Sequence, residues 1–156
     1  MSNTENIKIL REETGLSFAQ IKTALEKSGD DMDKARKELQ TLATKVAEKK
    51  ADREFGSATV ASYIHAGGKT GVLLELSCET DFVSANEEFK TLARDIAMHI
   101  AAMQPVNKDE LLDQPFVKNP DITIGSLLEG AVQKFGENTA ITRAVWYAVG
   151  GEGATL

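Results

Sequence analysis

The sequence predicts an α+β protein, in which a module of three short helices precedes an α+β core with a three-stranded antiparallel sheet and packed helices. Apolar residues repeat at helical spacing through residues 1–45, and beyond Gly56 the pattern changes to the two-residue alternation of strands. Between them, residues 46–55 carry many charges of both signs, which is typical of an exposed linker or a helical extension. The predicted organisation is therefore a helical module at 1–45, a linker at 46–55 and a core domain at 56–156.

Each predicted helix of the module has its own start or stop signal. Gly15 and Gly29 suit the left-handed position that follows the first and second helices. Ser17 and Gln20 form a capping-box pattern at the start of the second helix, and one of the aspartates at 30–31 can cap the third. The apolar positions expected on the inward faces are Ile7, Leu10, Phe18, Ile21, Ala24, Leu25, Met32, Ala35, Leu39 and Leu42.

The core begins with a predicted hairpin. Residues 58–65 alternate as a first strand, and the glycines within residues 66–71 suit a turn before the second strand. Residues 139–149 alternate again and predict a third strand. The inward-facing residues expected on the second strand are Val72, Leu74, Leu76 and Cys78.

Two amphipathic helices complete the predicted core. Ser84 and Glu87 form a second capping-box pattern, which starts a long helix that ends before Pro105. Thr123 can cap a last helix, which Gly136 ends.

Two further segments are expected to lack regular structure. Residues 107–121 hold two prolines and favour an irregular connection between the two core helices. Residues 150–156 are expected to form a flexible tail.

The composition is that of a folded protein and argues against nucleic-acid and membrane partners. The 24 acidic residues outnumber the 18 basic ones, so no overall positive field would draw the chain to a phosphate backbone. Neither a long apolar run nor a signal-peptide pattern is found. Cys78, the single cysteine, excludes an internal disulfide and is expected to be buried. We therefore expect a soluble cytoplasmic protein, or one of an organellar matrix or stroma if a transit peptide had been removed.

No residue pattern predicts catalysis, a metal site or a cofactor. Residues 68–70, Gly-Lys-Thr, resemble the end of a phosphate-binding loop, but Tyr63 stands where that loop needs its first glycine. His65 and His99 have no cysteine or second histidine at metal-ligand spacing. Catalytic chemistry therefore has no positive support from the residue patterns.

The connection after the second strand, Thr-Asp-Phe-Val at residues 80–83, is open to two interpretations. Asp81 can bond the local backbone while Phe82 packs into the core, which composition alone favours. Alternatively, the connection exposes an aromatic ring beside a carboxylate, as functional loops on rigid scaffolds often do.

These residues also carry a resemblance to a known family. Residues 78–83, Cys-Glu-Thr-Asp-Phe-Val, resemble the signature of the elongation factor Ts family. Further matches follow in the same order along nearly the whole chain, at residues 10–15, 22–25, 47–53, 63–65, 71–73, 97–101, 114–117 and 136–138. The resemblance implies a ubiquitin-associated-type fold for the helical module. It also implies guanine-nucleotide exchange on elongation factor Tu, the GTPase that delivers aminoacyl-tRNA to the ribosome, with no cofactor and no substrate chemistry.

The resemblance assigns roles to individual residues. Phe82 would enter the GTPase, GDP-bound or nucleotide-free, as an apolar wedge near the nucleotide and magnesium site, and Asp81 would disturb the phosphate and metal environment. Thr80 and Val83 would shape the turn, and the helical module would dock beside the nucleotide pocket. The residues assigned to GTPase contact are Thr80, Asp81, Phe82, Val83, Phe18, Ala19, Lys22, His65, Phe135, Gly136, Glu137 and Asn138.

The chain resembles the short members of the family, which hold one core half and pair as homodimers. We expect a dimer built on the core sheets, with His65 of one subunit and Phe82 of the other serving the same GTPase. Val145 stands where some short members carry an intermolecular cysteine, so no disulfide between subunits is expected. The helical insertion that family members usually carry is largely absent here, between Pro105 and Gln114.

Without the resemblance, two other functions would remain open. The chain could be a ubiquitin-associated-type interaction module fused to a dimerisation domain, binding an apolar partner through residues 15–18. Ubiquitin binding with no effect on GDP release would favour that function. It could also be an enzyme of unknown type, which substrate turnover unaffected by Phe82→Ala would favour.

Overall fold

The computed structural model describes residues 3–156 and confirms the α+β class, with helices first and an antiparallel sheet with packed helices after them. In that range, no helix is both long enough and apolar enough to cross a membrane. The elements are α1 (Asn3–Thr14), α2 (Phe18–Lys27), α3 (Met32–Lys50), β1 (Ser57–Ile64), β2 (Thr70–Cys78), α4 (Asp81–Ser84), α5 (Glu87–Met103), α6 (Lys108–Asp113), β3 (Pro115–Phe116), β4 (Asn119–Thr123), α7 (Ile124–Phe135), β5 (Ala140–Ala148) and β6 (Gly153–Thr155).

The helices α1, α2 and α3 form a module with its own small core. The capping box of α2 is confirmed, because Ser17 Oγ accepts a hydrogen bond from the Gln20 N–H and Gln20 Oε1 accepts one from the Ser17 N–H. Asp31 caps α3 by accepting from the Lys34 N–H at 3.0 Å. Phe18 was expected to face inward, but as the first residue of α2 it projects into solvent. The buried apolar residues of the module are Ile7, Leu10, Leu16, Ile21, Ala24, Leu25, Ala35 and Leu39.

The third helix extends beyond the module and joins it to the core. It continues through Lys50, so the first half of residues 46–55 is a helical extension, which is one of the two predicted possibilities. From α7, Glu129 Oε2 accepts hydrogen bonds from Thr44 Oγ1 at 2.6 Å and from Gln40 Nε2 at 3.2 Å. Lys50 Nζ donates to the Gly136 carbonyl at 2.5 Å. These bonds dock the module on the last helix of the core.

The main sheet has four antiparallel strands in the order β1-β2-β5-β6, where the sequence predicted three. The fourth strand comes from the segment predicted as a flexible tail, since residues 153–155 pair with residues 145–147 of β5. Three residues are too few for an alternating pattern to reveal a strand. The short strands β3 and β4 pair in a second, two-stranded sheet.

The inward face of the main sheet packs against α5. As predicted, the buried residues of β2 include Val72, Leu74, Leu76 and Cys78. Burial raises the pKa of the Cys78 thiol above its ordinary value. The cap of α5 is Asn86, whose Oδ1 accepts from the Glu88 N–H at 2.8 Å. The predicted start at Ser84 is wrong, because residues 81–84 form the separate turn α4.

The segment predicted as an irregular connection is regular, since it forms α6, β3 and β4. A buried histidine of α5, His99, attaches this segment to the core. Its Nδ1 accepts from the Val117 N–H at 3.2 Å, so Nε2 carries the proton and donates to Gln114 Oε1 at 2.9 Å. Burial lowers the pKa of His99 below its ordinary value, which favours this neutral form.

Candidate functional site

The turn at residues 80–84, which links β2 to α5, projects an aromatic ring into solvent. Thr80 is extended, and the next four residues make the single helical turn α4. Phe82 is 90% exposed, whereas its neighbour Val83 is 9% exposed. The interpretation that Phe82 packs into the core is therefore wrong. Val83 anchors the turn instead.

Asp81 lies beside the exposed ring and is held from β1. Its Oδ1 accepts a hydrogen bond from Ser57 Oγ at 2.7 Å, and the same hydroxyl lies 2.8 Å from Ser84 Oγ. Sequence reasoning missed Ser57, because this bond joins residues 24 positions apart. The sequence signal for this contact is Gly56, the residue before Ser57. A Cβ at Gly56 would lie 2.5 Å from the Glu79 carbonyl oxygen, so only glycine allows this close approach of the two strands.

The connection between α7 and β5, residues 136–138, lies against the base of the turn. Glu137 Oε1 accepts from the backbone N–H groups of Glu79 at 3.0 Å and Thr80 at 2.9 Å. Glu137 Oε2 accepts from Thr80 Oγ1 at 2.6 Å. Asn138 is buried, and its N–H donates to Glu79 Oε2 at 2.7 Å. Both Glu137 and Asn138, predicted as partner contacts, are thus engaged within the chain.

The end of α7 meets the helical module near the same connection. The half-buried Phe135 ring packs edge to face on Phe89, with 5.5 Å between the centroids. Lys134 Nζ lies 5.6 Å from the Phe135 centroid and 2.5 Å from Glu88 Oε2. A Cβ at Gly15 would lie 2.6 Å from Lys134 Cε, so the connection between α1 and α2 comes close to this lysine.

The module presents a second exposed surface at the start of α2. Phe18, Ala19 and Lys22 are all exposed, and the Phe18 ring is 53% exposed. Lys22 Nζ lies 3.7 Å from Glu26 Oε1, a surface pair that contributes little to stability. An aromatic ring and a cation are thus available to a partner at this end of the module.

His65 lies far from the 80–84 turn in the same chain. It is exposed in the connection after β1, with its Nδ1 3.5 Å from the Tyr63 hydroxyl. The strand β1 runs from Ser57, which bonds Asp81, to Ile64, which precedes His65. At about 3.3 Å per residue this strand is about 23 Å long. The structure does not bring these two predicted contacts together within one chain.

The outward face of the main sheet exposes several large apolar side chains beside the ion pair of Glu75 and Arg143. The register places Ile64, Gly71 and Tyr147 in one row across three strands, and Leu73 and Val145 side by side in the next row. A patch of this kind on a folded chain often marks an interface. Its large exposed apolar side chains are Val60, Ile64, Leu73 and Tyr147.

The site offers recognition groups rather than a set of metal ligands. Across residues 3–156, no group of three or more His, Cys, Asp and Glu side chains is arranged to hold a metal ion. The groups present are an exposed ring and carboxylate on a turn that is bonded at its base. An aromatic ring and a carboxylate are thus presented together at the surface of the chain.

Comparison with known proteins identifies the family. The family model described as "Elongation factor TS" matches residues 6–110. The chain belongs to the elongation factor Ts family. Family membership makes it a translation elongation factor, acting in protein biosynthesis.

Curated relatives named elongation factor Ts match the chain over most of its length. The relative from Rubrobacter xylanophilus is 37% identical, with the match covering 92% of this chain and 96% of the relative. The relative from Carboxydothermus hydrogenoformans is also 37% identical, with 96% and 90% covered. The relative from Thermodesulfovibrio yellowstonii is 39% identical, with 92% and 94% covered.

The chain is shorter than the Rubrobacter elongation factor Ts in the region where the two align. The alignment spans 188 positions, which is more than the 156 residues of this chain, so the relative contains residues that this chain lacks. This agrees with the predicted loss of an insertion. The predicted place of the loss, between Pro105 and Gln114, contains only the six-residue helix α6.

Proposed function

We propose that this chain promotes release of GDP from elongation factor Tu by inserting the 80–84 turn beside the nucleotide and magnesium site. Membership of the elongation factor Ts family implies the exchange role. The observation that carries the mechanism is the 90% exposure of Phe82 on a turn that is hydrogen-bonded at its base. Buried aromatic anchors commonly dominate the energy of protein interfaces.

Phe82 and Asp81 act on the GTPase in different ways. Full burial of a phenylalanine side chain contributes about 1.5–3 kcal/mol. Because the Phe82 ring is exposed in the free chain, nearly all of this free energy can stabilise a complex in which the ring becomes buried. The Asp81 carboxylate brings a negative charge and an oxygen ligand to a site where phosphates and Mg²⁺ are bound. It repels the phosphates and competes for the metal, since Mg²⁺ prefers oxygen ligands.

Exchange by this route is a negative coupling between two ligands of one GTPase. The coupling is reciprocal, so the factor by which the chain lowers the affinity of the GTPase for GDP is also the factor by which GDP lowers its affinity for the chain. Each tenfold loss of GDP affinity requires the chain to bind the nucleotide-free form about 1.4 kcal/mol more tightly than the GDP-bound form. The chain therefore speeds exchange without directing it, and the supply of GTP and GDP sets the direction.

A second contact comes from the module and the end of α7. Phe18, Ala19 and Lys22 dock on the GTPase beside the nucleotide pocket, and Phe135 and Gly136 add to this surface. The exposure of α2 and the approach of the module to Lys134 support this contact. Docking of α3 on α7 holds the two surfaces in a fixed relation.

We further propose that two copies pair through the outward faces of their main sheets. The exposed apolar side chains of that face support this pairing, because a second copy would remove them from water. The length of β1 supports it as well, because it separates His65 from the 80–84 turn of the same chain, so that a shared GTPase would take His65 from one subunit and Phe82 from the other. Val145 gives this interface no cysteine, so it forms without a disulfide. The site of action is the cytoplasm, or an organellar matrix or stroma, with no direct nucleic-acid contact.

Titration calorimetry tests the exchange role at equilibrium. The chain is titrated into nucleotide-free and into GDP-bound elongation factor Tu, and binding to the nucleotide-free form should be at least about tenfold tighter. Phe82→Ala should reduce this ratio, whereas Val106→Ala, which shortens an exposed side chain beyond the far end of α5, should not. Equal affinities for the two forms would refute the proposal, because such a ligand cannot shift the nucleotide equilibrium.

A further inference from the structure

We propose that Glu137 is a positioning residue, whose carboxylate fixes the direction in which the 80–84 turn presents Phe82. This inference rests on the exchange function proposed above. It gives Glu137 a role inside the chain, in place of the direct GTPase contact that the family resemblance implies. The three hydrogen bonds that this carboxylate accepts, all from residues 79–80, carry the inference.

The turn needs such support because only Val83 and Ser84, at its end, are buried. The helix α4 is four residues long, which is far below the length at which a helix is stable alone. Phe82 adds no packing, since its ring stands in solvent. Thr80 occupies the cap position of α4, yet its side chain makes no capping bond and donates to Glu137 instead. Burial of Val83 anchors the end of the turn, and bonds from outside it hold Thr80 and Asp81 at its start.

Glu137 is well placed to supply these bonds. It uses both carboxylate oxygens, one on two backbone N–H groups and the other on the Thr80 hydroxyl. Hydrogen bonds to an ionised acceptor are stronger than neutral ones. Gly136, with φ of 74°, ends α7 in the left-handed conformation and turns the chain so that Glu137 faces the turn.

The same connection is also tied to the helical module. Asn138 Nδ2 donates to the carbonyl oxygens of Arg53 at 2.8 Å and Ala51 at 3.3 Å, just beyond the end of α3. Residues 136–138 thus join the two parts of the chain that are proposed to contact the GTPase. These bonds restrict movement of the turn relative to the module. When the module docks on the GTPase, Phe82 is therefore held in one orientation relative to the docked surface.

The identity of the substituted residue separates positioning from direct contact. Glu137→Gln keeps an oxygen for the two N–H groups, and its amide can donate to Thr80 Oγ1, which can accept as well as donate. Glu137→Ala loses all three bonds. If Glu137 pairs with a cation of the GTPase, Gln should fail as badly as Ala. If it positions the turn, Gln should recover much of the activity that Ala loses.

The first experiment measures release of fluorescent GDP at a series of factor concentrations. With Glu137→Ala, we expect the maximal release rate to fall at least about tenfold, while the half-saturating concentration changes less than about threefold because the module still docks. Glu137→Gln should lie nearer the wild type. Glu48→Ala, which removes one exposed carboxylate from α3, is the charge-matched control. Equal rates for Glu137→Ala and wild type would overturn the inference.

Hydrogen exchange keeps the inference testable if nucleotide exchange is not the function. Hydrogen exchange of the Glu79 and Thr80 amides should accelerate at least about tenfold in Glu137→Ala without any GTPase present, because both amides lose their acceptor. Unchanged protection would refute the positioning role. Thr80→Val and Glu137→Ala should also be non-additive in release rate, and additivity would indicate a separate GTPase contact. If Phe82→Ala keeps full activity, the exchange mechanism has failed and not merely the role of Glu137.

Discussion

The contrast between Phe82 and Val83 makes a sharp prediction about stability. Phe82 is 90% exposed, so truncation to alanine removes at most about a tenth of the 1.5–3 kcal/mol that full burial of the ring would provide. Phe82→Ala should therefore lower the free energy of unfolding by about 0.3 kcal/mol or less. Val83 is 9% exposed, and its truncation removes two buried carbons at about 0.8 kcal/mol each and leaves a small cavity. Val83→Ala should cost about 2 kcal/mol.

Urea unfolding of both variants and the wild type, at one protein concentration, measures this contrast. The midpoint for Val83→Ala should fall clearly, and that for Phe82→Ala should stay within error of the wild type. Val106→Ala serves as a control for truncation at an exposed position. A loss of more than about 1 kcal/mol in Phe82→Ala would refute the reasoning, because the ring would then be packed within the protein and not free for a partner.

Three other predictions follow from contacts away from the turn. The pKa of His99 is lowered in the folded chain, so as pH falls the imidazole is protonated in the unfolded chain before it is protonated in the folded chain. The free energy of unfolding should therefore decrease below about pH 6.5, by up to about 1.4 kcal/mol per pH unit. His99→Gln should flatten this dependence in urea titrations between about pH 7.5 and 5, and an unchanged slope would contradict it. Leu73→Lys should convert dimers to monomers in analytical ultracentrifugation, and a persisting dimer would exclude pairing through the outward face. Glu129→Ala removes the two bonds that its carboxylate accepts from Gln40 and Thr44, although Gln40 keeps the Ser126 carbonyl and Thr44 keeps the Gln40 carbonyl as acceptors. It should therefore cost about 1 kcal/mol and speed amide exchange along α3, whereas unaltered exchange would contradict docking through Glu129.

Local features of the fold could be predicted because their causes are local. The capping box of Ser17 and Gln20 needs only residues three apart, and the inward set of β2 needs only the alternation of one strand. The exposed ring at Phe82 was one of two interpretations, and composition favoured the other. An aromatic residue in a short connection does not reveal by itself which side of the backbone it takes.

Features that depend on long-range bonds could not be predicted in the same way. Ser84 was taken for a helix cap, because the sequence does not show that Asp81 and Thr80 are bonded to Ser57 and Glu137 in a turn of their own. Residues 153–155 form a strand only because β5 offers them an open edge. The family resemblance pointed to Glu137, but its bonds to the turn join residues 57 and 58 positions apart.

Stopped-flow release of fluorescent GDP from elongation factor Tu most directly tests the proposed use of the 80–84 turn. The wild type, Phe82→Ala, Asp81→Ala and the control Val106→Ala are compared at equal concentrations. Wild type and control should accelerate release strongly, and the two turn variants should lose at least about tenfold of that acceleration, or about 1.4 kcal/mol. Acceleration by the two turn variants equal to that of the wild type would contradict the mechanism, and no acceleration by the wild type would contradict the exchange function itself.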